Sequence, residues 1–334
     1  MAIFPTQYST LAASALKDRI AERYALKDAT CRLLLHGVSD TYLLQDATTK
    51  YILKIYRSAH RSLTEIKGEV ELLNIMKAEG AKVSYPIGDA AGEYVQAFNA
   101  AEGTRHGVLF SFAPGSPVYD LTDEQLRTVG REMAFNHNIT ARISLQHERK
   151  SYDVHTTLIR PLQRLETAFD HDPEGFTYLS ETADHVIRRM KTLDTAAFGY
   201  GYCHYDYLPK NFHFDEAGQL TLFDFDFAGK GYLASDITSF QVHLFFSVTY
   251  AGMAPEEADR QYQVFLDGYR ELRSLTDDEL TAVPYLGFMF WVFYLSFARE
   301  NFDDWSNFFF TPRYLKERVG LIRRYMGMYT HSVH

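Results

Sequence analysis

Hydrophobic and polar positions divide the chain into a beginning rich in strands and a remainder rich in helices. Apolar residues recur at helical spacing over residues 10–26, which predicts a helix. Three apolar runs typical of strands follow at residues 32–36, 41–45 and 51–56. Short polar turns separate these runs, so they are predicted to pair as an antiparallel meander.

The next segment continues this mixed pattern. Residues 63–77 have helical spacing, and Gly80 follows them at the position where a helix commonly ends. Further strands are predicted at residues 86–88, 94–98 and 107–112.

A change of pattern follows at residues 113–117, which read Ala-Pro-Gly-Ser-Pro. Proline and glycine interrupt both strands and helices, so this segment is predicted to be a linker. We therefore expect an N-terminal lobe at residues 1–113 and a C-terminal lobe at residues 114–334.

Beyond the linker the pattern is mainly helical. Thr122 and Gln125 form a capping-box pattern that opens a helix to about residue 142. Further helices are predicted at residues 157–169, 179–193, 237–250 and 313–328, with two more that begin at Pro255 and after Thr276. Strands followed by helices predict an α+β fold.

One predicted hairpin interrupts the helical part and carries polar side chains. Its two apolar runs, residues 211–214 and 220–223, flank a turn that contains Asp and Gly. Symmetric pairing places Asn211 beside Asp224 at the open end of the hairpin, and Asp206 lies on the preceding loop. Three oxygen-bearing side chains in one small volume suit Mg²⁺ beside a base.

These residues also carry a resemblance. The spacing from His204 through Asp206 to Asn211, followed by Asp-Phe-Asp from Asp224, resembles the catalytic and metal-binding loops of kinase-like phosphotransferases. The Cys-His-x-Asp-x-x-Pro-x-Asn spacing and the later Ser-Asp-Ile around Asp236 resemble the aminoglycoside phosphotransferase, choline kinase and homoserine kinase type II group most. The resemblance implies a two-lobed protein-kinase-like fold, in which the N-terminal lobe at residues 1–113 binds the nucleotide and the C-terminal lobe at residues 114–334 carries catalysis and substrate binding.

The resemblance also implies roles for individual residues. Asp206 would accept or orient the proton of an acceptor hydroxyl, while Asn211 and Asp224 would bind Mg²⁺ ions that bridge the phosphates of ATP. His204 and Asp236 would support the catalytic loop; for Asp236, a carboxylate that stabilises a helix N-terminus is the alternative.

Two residues of the first lobe acquire roles in the same way. Lys54 lies inside an otherwise apolar strand, where a lysine is costly unless it is paired. The resemblance makes it the phosphate-binding lysine, held by Glu69 or alternatively by Glu65; the competing interpretation is an edge strand with Lys54 facing water. Ser39 would approach the terminal phosphates from a turn that is otherwise typical of a plain hairpin.

The chain departs from the family pattern at two positions. Asp226 stands where protein kinases have the glycine of Asp-Phe-Gly. Tyr205 stands where glycine or asparagine is commoner in this group, which predicts less space beside Asp206.

Composition and charge narrow the function further. The net charge of −9 argues against nucleic-acid binding. Residues 1–113 include 13 basic and 12 acidic residues, whereas residues 114–334 include 21 basic and 31 acidic residues. If the acceptor site lies in this acidic part, it would attract a cationic acceptor. Two separated cysteines suit a reducing cytosol, and neither a signal peptide nor a membrane span is expected. We therefore expect a cytoplasmic protein.

Several alternatives stay open. Residues 222–226 also resemble the nucleophile strand of haloacid-dehalogenase-like phosphatases, and a pseudokinase would keep the fold only for binding. The aromatic runs at residues 288–297 and 302–310 are typical of a helical core, or else of a cage for an amine. Only eleven residues separate Asp224 from Asp236, which favours a small hydroxyl substrate over a protein serine or threonine. The favoured function is therefore ATP- and Mg²⁺-dependent phosphorylation of an amino alcohol, an aminoglycoside or a homoserine-like acceptor.

Overall fold

A computed structural model of the chain describes Thr6, residues 8–302 and residues 310–330. The chain folds as two compact units. The first unit comprises residues 1–116, 144–149 and 213–226, and the second unit comprises the rest. The sequence predicted two lobes with a single boundary at residue 113. In the structure, two later segments of the chain, residues 144–149 and 213–226, also belong to the first unit. The division into lobes at residue 113 stays a prediction.

The helices and strands follow one another in a defined order along the chain. The first part contains α1 (Ala13–Tyr24), β1 (Thr30–His36), β2 (Ser39–Gln45), β3 (Lys50–Tyr56), α2 (Leu63–Ala78), β4 (Pro86–Ile87), β5 (Val95–Ala100) and β6 (Gly103–Ser111). The remainder contains α3 (Asp123–Thr140), α4 (Arg160–Leu165), α5 (Pro173–Met190), β7 (Tyr200–Cys203), β8 (Phe212–Phe214), β9 (Leu220–Leu222), β10 (Gly229–Tyr232), α6 (Ala234–Tyr250), α7 (Pro255–Arg270), α8 (Asp277–Asn301) and α9 (Pro312–Thr330). The α+β class is confirmed.

The first unit is built on an antiparallel sheet. Its strands follow the order β1-β2-β3-β6-β4, and β5 pairs with β6. Leu16 and Ile20 of α1 pack against Tyr42, Leu44 and Leu53 of the sheet. Because β3 lies between β2 and β6, it is an interior strand, and the edge-strand interpretation of Lys54 is wrong.

The second unit is mainly helical and has one large core. Helices α5, α6, α8 and α9 supply most of that core. Helices α3 and α7 approach closely at two glycines: a Cβ on Gly130 would lie 2.1 Å from Phe265 O, and one on Gly268 would lie 2.2 Å from Arg127 O. Only glycine permits such contact between the two backbones.

Two features of the second unit differ from the expectation. The helix predicted at residues 157–169 is irregular, since a π-helical turn at His155–Ile159 precedes α4 and a 3-10 turn at Glu166–Phe169 follows it. Strands β7 and β10 pair with each other and were not foreseen, because each has only four residues and no clear alternation of polar and apolar positions.

Helix α8 contains a long apolar stretch. By length and composition it is the single described helix that could cross a membrane, yet 72% of its most apolar stretch is buried inside the unit. That degree of burial is typical of the core helix of a globular domain.

Candidate active site

A buried lysine lies at the centre of the first unit's candidate site. Lys54 Nζ lies 2.8 Å from Asp224 Oδ1, 3.4 Å from Asp226 Oδ1 and 4.0 Å from Glu69 Oε1. Glu69 is therefore the glutamate of α2 that approaches the lysine, whereas Glu65 accepts the hydrogen bonds that cap the start of α2. The nearest carboxylate is Asp224, which the sequence analysis did not pair with Lys54.

These charges shift the titration of the lysine and of its nearest glutamate. Burial opposes the charged form of Lys54, but the carboxylates of Asp224, Asp226 and Glu69 outweigh it and raise the pKa of Lys54 well above its usual value. Burial raises the pKa of Glu69 in spite of the nearby cations Lys54 and Arg149. Lys54 is therefore charged at neutral pH.

Asp226 belongs to the same network and is almost fully buried. His60 Nε2 lies 2.6 Å from Asp226 Oδ2, and Arg61 Nη2 donates to the same oxygen at 3.0 Å. Although burial opposes ionisation, Arg61, Lys54 and His60 lower the pKa of Asp226 well below its usual value. Asp226, which stands where protein kinases have the glycine of Asp-Phe-Gly, is thus a buried carboxylate paired with His60 and Arg61.

The turn proposed to face the terminal phosphates is shorter than predicted. Ser39 is the first residue of β2, and its Oγ is buried with no hydrogen-bond partner among the described residues. Its neighbour Asp40 is fully buried between His36 and Arg105, at 2.6 and 2.9 Å. An unpaired hydroxyl can donate to a phosphate oxygen, so the assignment of Ser39 stays open as a prediction.

The second unit holds the aspartate predicted to be catalytic. Asp206 is 3% exposed. Its Oδ2 accepts hydrogen bonds from Lys210 Nζ at 2.8 Å and from Asn211 Nδ2 at 2.8 Å. Its Oδ1 is shielded from solvent and takes no part in these two hydrogen bonds, and the Tyr294 hydroxyl interacts with the same carboxyl group. One carboxylate oxygen is therefore fixed by two donors.

The loop around Asp206 is fixed through its backbone. Asp236 accepts hydrogen bonds from the main-chain N–H of His204 at 2.8 Å and of Tyr205 at 2.6 Å, and His137 Nε2 lies 3.1 Å from the same carboxylate. The N–H of Asp206 donates to His204 Nδ1 at 3.2 Å. These contacts are those that a supporting role for His204 and Asp236 requires.

Tyr205 does not narrow the space beside Asp206, contrary to expectation. Its φ of 66° is in the left-handed region, which explains why glycine or asparagine suits this position. This backbone directs the ring into the core, where it stacks on Tyr152 with ring centroids 3.8 Å apart.

A pocket lies beside Asp206, and we name it the acceptor pocket. It has a volume of about 250 Å³. Its lining comprises Asp206, Leu208, Lys210, Phe246, Phe290, Trp291, Tyr294, Leu295, Phe302, Tyr314 and Arg318, all from the second unit. Burial and the charge of Asp206 raise the pKa of Tyr294 well above its usual value, so its hydroxyl is neutral. The aromatic run of α8 therefore serves in part as core and in part as pocket wall.

The donor atoms suit a hard divalent cation that also binds phosphate. Asn211 Nδ2 donates to both Asp206 O and Asp206 Oδ2, so the amide Oδ1 is the atom of Asn211 that can ligate a metal. Asp224 is 48% exposed at its side chain and supplies a carboxylate. No group of three His, Cys, Asp or Glu side chains that could hold a metal ion lies in the described ranges.

Several contacts of these sites were missed by the sequence analysis. Lys210 is four residues after Asp206, and that spacing was the available signal for its ion pair. His60, Arg61 and Arg149 surround the buried carboxylates of the first unit, but no local pattern distinguishes them from surface cations. Asn211 and Asp224 belong to different units, and their sharing of one metal ion stays a prediction.

Comparison with known proteins gives consistent matches. The model of the phosphotransferase enzyme family (APH) matches residues 30–275. An uncharacterised protein of Deinococcus radiodurans is 30% identical over 282 residues, covering 84% of this chain and 80% of its own length. Amicoumacin kinase of Bacillus subtilis is 25% identical over 275 residues, covering 79% and 78%.

Solved structures show the same fold. A microcompartment-associated aminopropanol kinase superimposes with a TM-score of 0.72 at 20% identity, over 93% of this chain and 95% of the other. The amicoumacin kinase hAmiN in complex with AMP-PNP, Ca²⁺ and Ami superimposes with a TM-score of 0.69 at 20% identity, over 96% and 93%. The family match spans most of the chain, and the chain therefore belongs to the phosphotransferase enzyme family and is a phosphotransferase.

Proposed function

We propose that this phosphotransferase moves the terminal phosphoryl group of ATP to a hydroxyl group of a small molecule. The observation that carries the proposal is Asp206, a buried carboxylate that lines the acceptor pocket and whose Oδ1 takes no part in the hydrogen bonds to Lys210 and Asn211. A hydroxyl in this pocket has a base within its reach. The names of two relatives, amicoumacin kinase and aminopropanol kinase, support a small acceptor.

In the proposed reaction Asp206 Oδ1 accepts the hydrogen bond of the acceptor hydroxyl. The hydroxyl oxygen forms a bond to the terminal phosphorus, and the bond from that phosphorus to the bridging oxygen of ATP breaks. The hydroxyl proton passes to Asp206 and ADP leaves. Lys210 and Asn211 keep Oδ2 in place, so that Oδ1 is directed at the hydroxyl.

The first unit is proposed to bind the nucleotide. Lys54 is a buried, permanently charged ammonium group that can neutralise phosphate oxygens, and Glu69 fixes its position. Ser39 Oγ is proposed to donate to the terminal phosphates. Mg²⁺, when bound through Asn211 and Asp224, supplies positive charge on the phosphates.

The finer assignments stay proposals in the same way. The acceptor classes suggested by the sequence are amino alcohols, aminoglycosides and homoserine-like compounds. A protein serine or threonine is the second candidate; the short segment between Asp224 and Asp236 speaks against it, because protein kinases carry a long regulated segment there. We also propose a cytoplasmic location and a division at residue 113 between a nucleotide-binding lobe and a catalytic lobe.

The test is an ADP-release assay with ATP and Mg²⁺ over amino alcohols, aminoglycosides and hydroxy acids. With the best acceptor, Asp206→Asn is expected to lower kcat by about 10²- to 10⁴-fold, because the general base is lost. Asp267→Asn, a change at an exposed residue of α7, serves as the matched control and is expected to retain activity. Transfer that survives Asp206→Asn undiminished would exclude Asp206 from this role.

A further inference from the structure

The walls of the acceptor pocket are mostly aromatic. Six of its lining side chains have aromatic rings: Phe246, Phe290, Trp291, Tyr294, Phe302 and Tyr314. Such walls favour an apolar or aromatic body over a hydrated sugar, because sugar hydroxyls that leave water need hydrogen-bond partners.

The charges of the pocket are mainly positive. Asp206 is the only carboxylate among its described lining residues, and Lys210 already pairs with that carboxylate. The second cation is Arg318 of α9, which has no ion-pair partner among the described residues and lies 4.8 Å from the ring centroid of Tyr314. An anionic group that enters the pocket gains a partner, whereas a second cation meets repulsion.

On the basis of the proposed function, we infer that the acceptor substrate is an alcohol with an aromatic or similarly apolar body and a carboxylate group. Its hydroxyl faces the carboxylate of Asp206, its body lies among the aromatic side chains, and its carboxylate pairs with Arg318. Among the described lining residues, a polycationic aminoglycoside finds no set of carboxylates. The acidic composition of the C-terminal part predicted a cationic acceptor. The described lining of the pocket favours an anionic acceptor instead.

Three benzyl alcohols that differ only in the para group test this inference. They are 4-(hydroxymethyl)benzoate, 4-(hydroxymethyl)benzamide and 4-(hydroxymethyl)benzylamine, titrated calorimetrically into the full chain with Mg²⁺ and AMP-PNP. The benzoate is expected to bind about tenfold more tightly than the benzylamine, with the amide between them, because only the benzoate pairs with Arg318. Kanamycin, included as a polycation, is expected to bind more weakly than the benzoate.

Variants of α9 assign the preference to one side chain. Arg318→Gln is expected to reduce the ratio between benzoate and amide affinities to about one, and Arg318→Lys to restore part of it. Arg313→Gln, at a side chain that is 89% exposed on the same helix, is the matched control and should keep the wild-type ratio. Thermal unfolding of each variant establishes that it folds.

Each result has a defined consequence. Tighter binding of the benzylamine or kanamycin, no binding of the benzoate, or an unchanged ratio in Arg318→Gln overturns the inference.

ADP release is measured separately with the same compounds. Asp206-dependent phosphorylation of kanamycin or choline in preference to the benzoate contradicts the inference and supports the proposed function. Benzoate binding without ADP release from any alcohol contradicts the proposed function and leaves the binding preference in place.

Discussion

The two units balance their buried charges in different ways. In the first unit, Lys54 is surrounded by the side chains of Glu69, Asp224 and Asp226, so charge is compensated by opposite charge. In the second unit, Asp236 is compensated mainly by main-chain N–H groups and by His137. The stability of an ion-pair network therefore depends on each of its charges and on pH. The stability contributed by a carboxylate that is bound by main-chain N–H groups depends instead on its hydrogen-bond geometry.

Buried histidines show the same contrast. His60 of the first unit lies 2.6 Å from the carboxylate of Asp226. His243 of the second unit is buried in α6, where burial lowers its pKa to about 4 despite a hydrogen bond with the backbone of Tyr119. His60 thus lies in an ion-pair network, whereas His243 is held neutral by burial.

The largest effect is expected from removal of the central cation. Lys54→Met leaves three carboxylates near one another without their shared partner, which is expected to lower the free energy of unfolding by about 3–5 kcal/mol. The same change is expected to lower kcat/KM for ATP by at least about 10²-fold, because a charged group on the phosphates is lost. Urea unfolding and ADP release measure the two quantities.

The pH dependence of this variant sharpens the test. Burial already raises the pKa of Glu69, and loss of Lys54 removes a cation that opposes this shift, so the folded-state pKa of Glu69 lies further above the unfolded one. The part of the stability deficit that comes from Glu69 is then present at pH 8 and shrinks as the pH falls towards 5 and Glu69 takes up a proton. Lys50→Met, at the exposed start of the same strand, should change stability by less than about 0.5 kcal/mol. A deficit that is equal at both pH values would contradict the charge-balance account.

An intermediate effect is expected at the backbone-bound carboxylate. Asp236→Asn replaces one acceptor oxygen with an N–H donor that faces a main-chain N–H, at a cost of about 2–4 kcal/mol in the free energy of unfolding. We expect kcat to fall with it, since the loop that carries Asp206 is no longer fixed. Chemical unfolding monitored by circular dichroism measures the loss, with exposed Asp184→Asn as the control. A loss below about 0.5 kcal/mol would remove Asp236 from its supporting role.

The smallest effect is expected at the neutral histidine. Between its ordinary pKa of about 6.5 and the lowered value, the unfolded chain binds a proton at His243 that the folded chain does not. Stability therefore falls as the pH falls through this range, by at most about 1.4 kcal/mol per pH unit from this residue. His243→Gln is expected to reduce that slope, whereas His171→Gln, at an exposed residue, should leave it unchanged. An identical slope in wild type and His243→Gln would show that His243 is protonated in the folded state.

Local patterns were enough to predict much of the fold. The meander of β1, β2 and β3, the capping boxes at Thr122 and Thr276 and the hairpin of β8 and β9 all depend on residues close in sequence. The sequence predicted a helix at residues 157–169 but not its irregular turns, and it did not predict the four-residue strands β7 and β10. Tertiary contacts rather than local periodicity decide such features.

Of the candidate site, the sequence determined the residue types and the spacing of the loop from His204 to Asn211. Only the tertiary structure decided which charged residues lie close together. Lys54 forms a hydrogen bond with Asp224, 170 residues away in sequence, and Arg318 of α9 lines the pocket that also contains Asp206. Backbone conformation at Tyr205 likewise decided that its ring packs into the core. The physical reason is that helix and strand patterns arise from neighbours along the chain, whereas ion pairs and pocket walls arise from packing between segments that the sequence does not order in space.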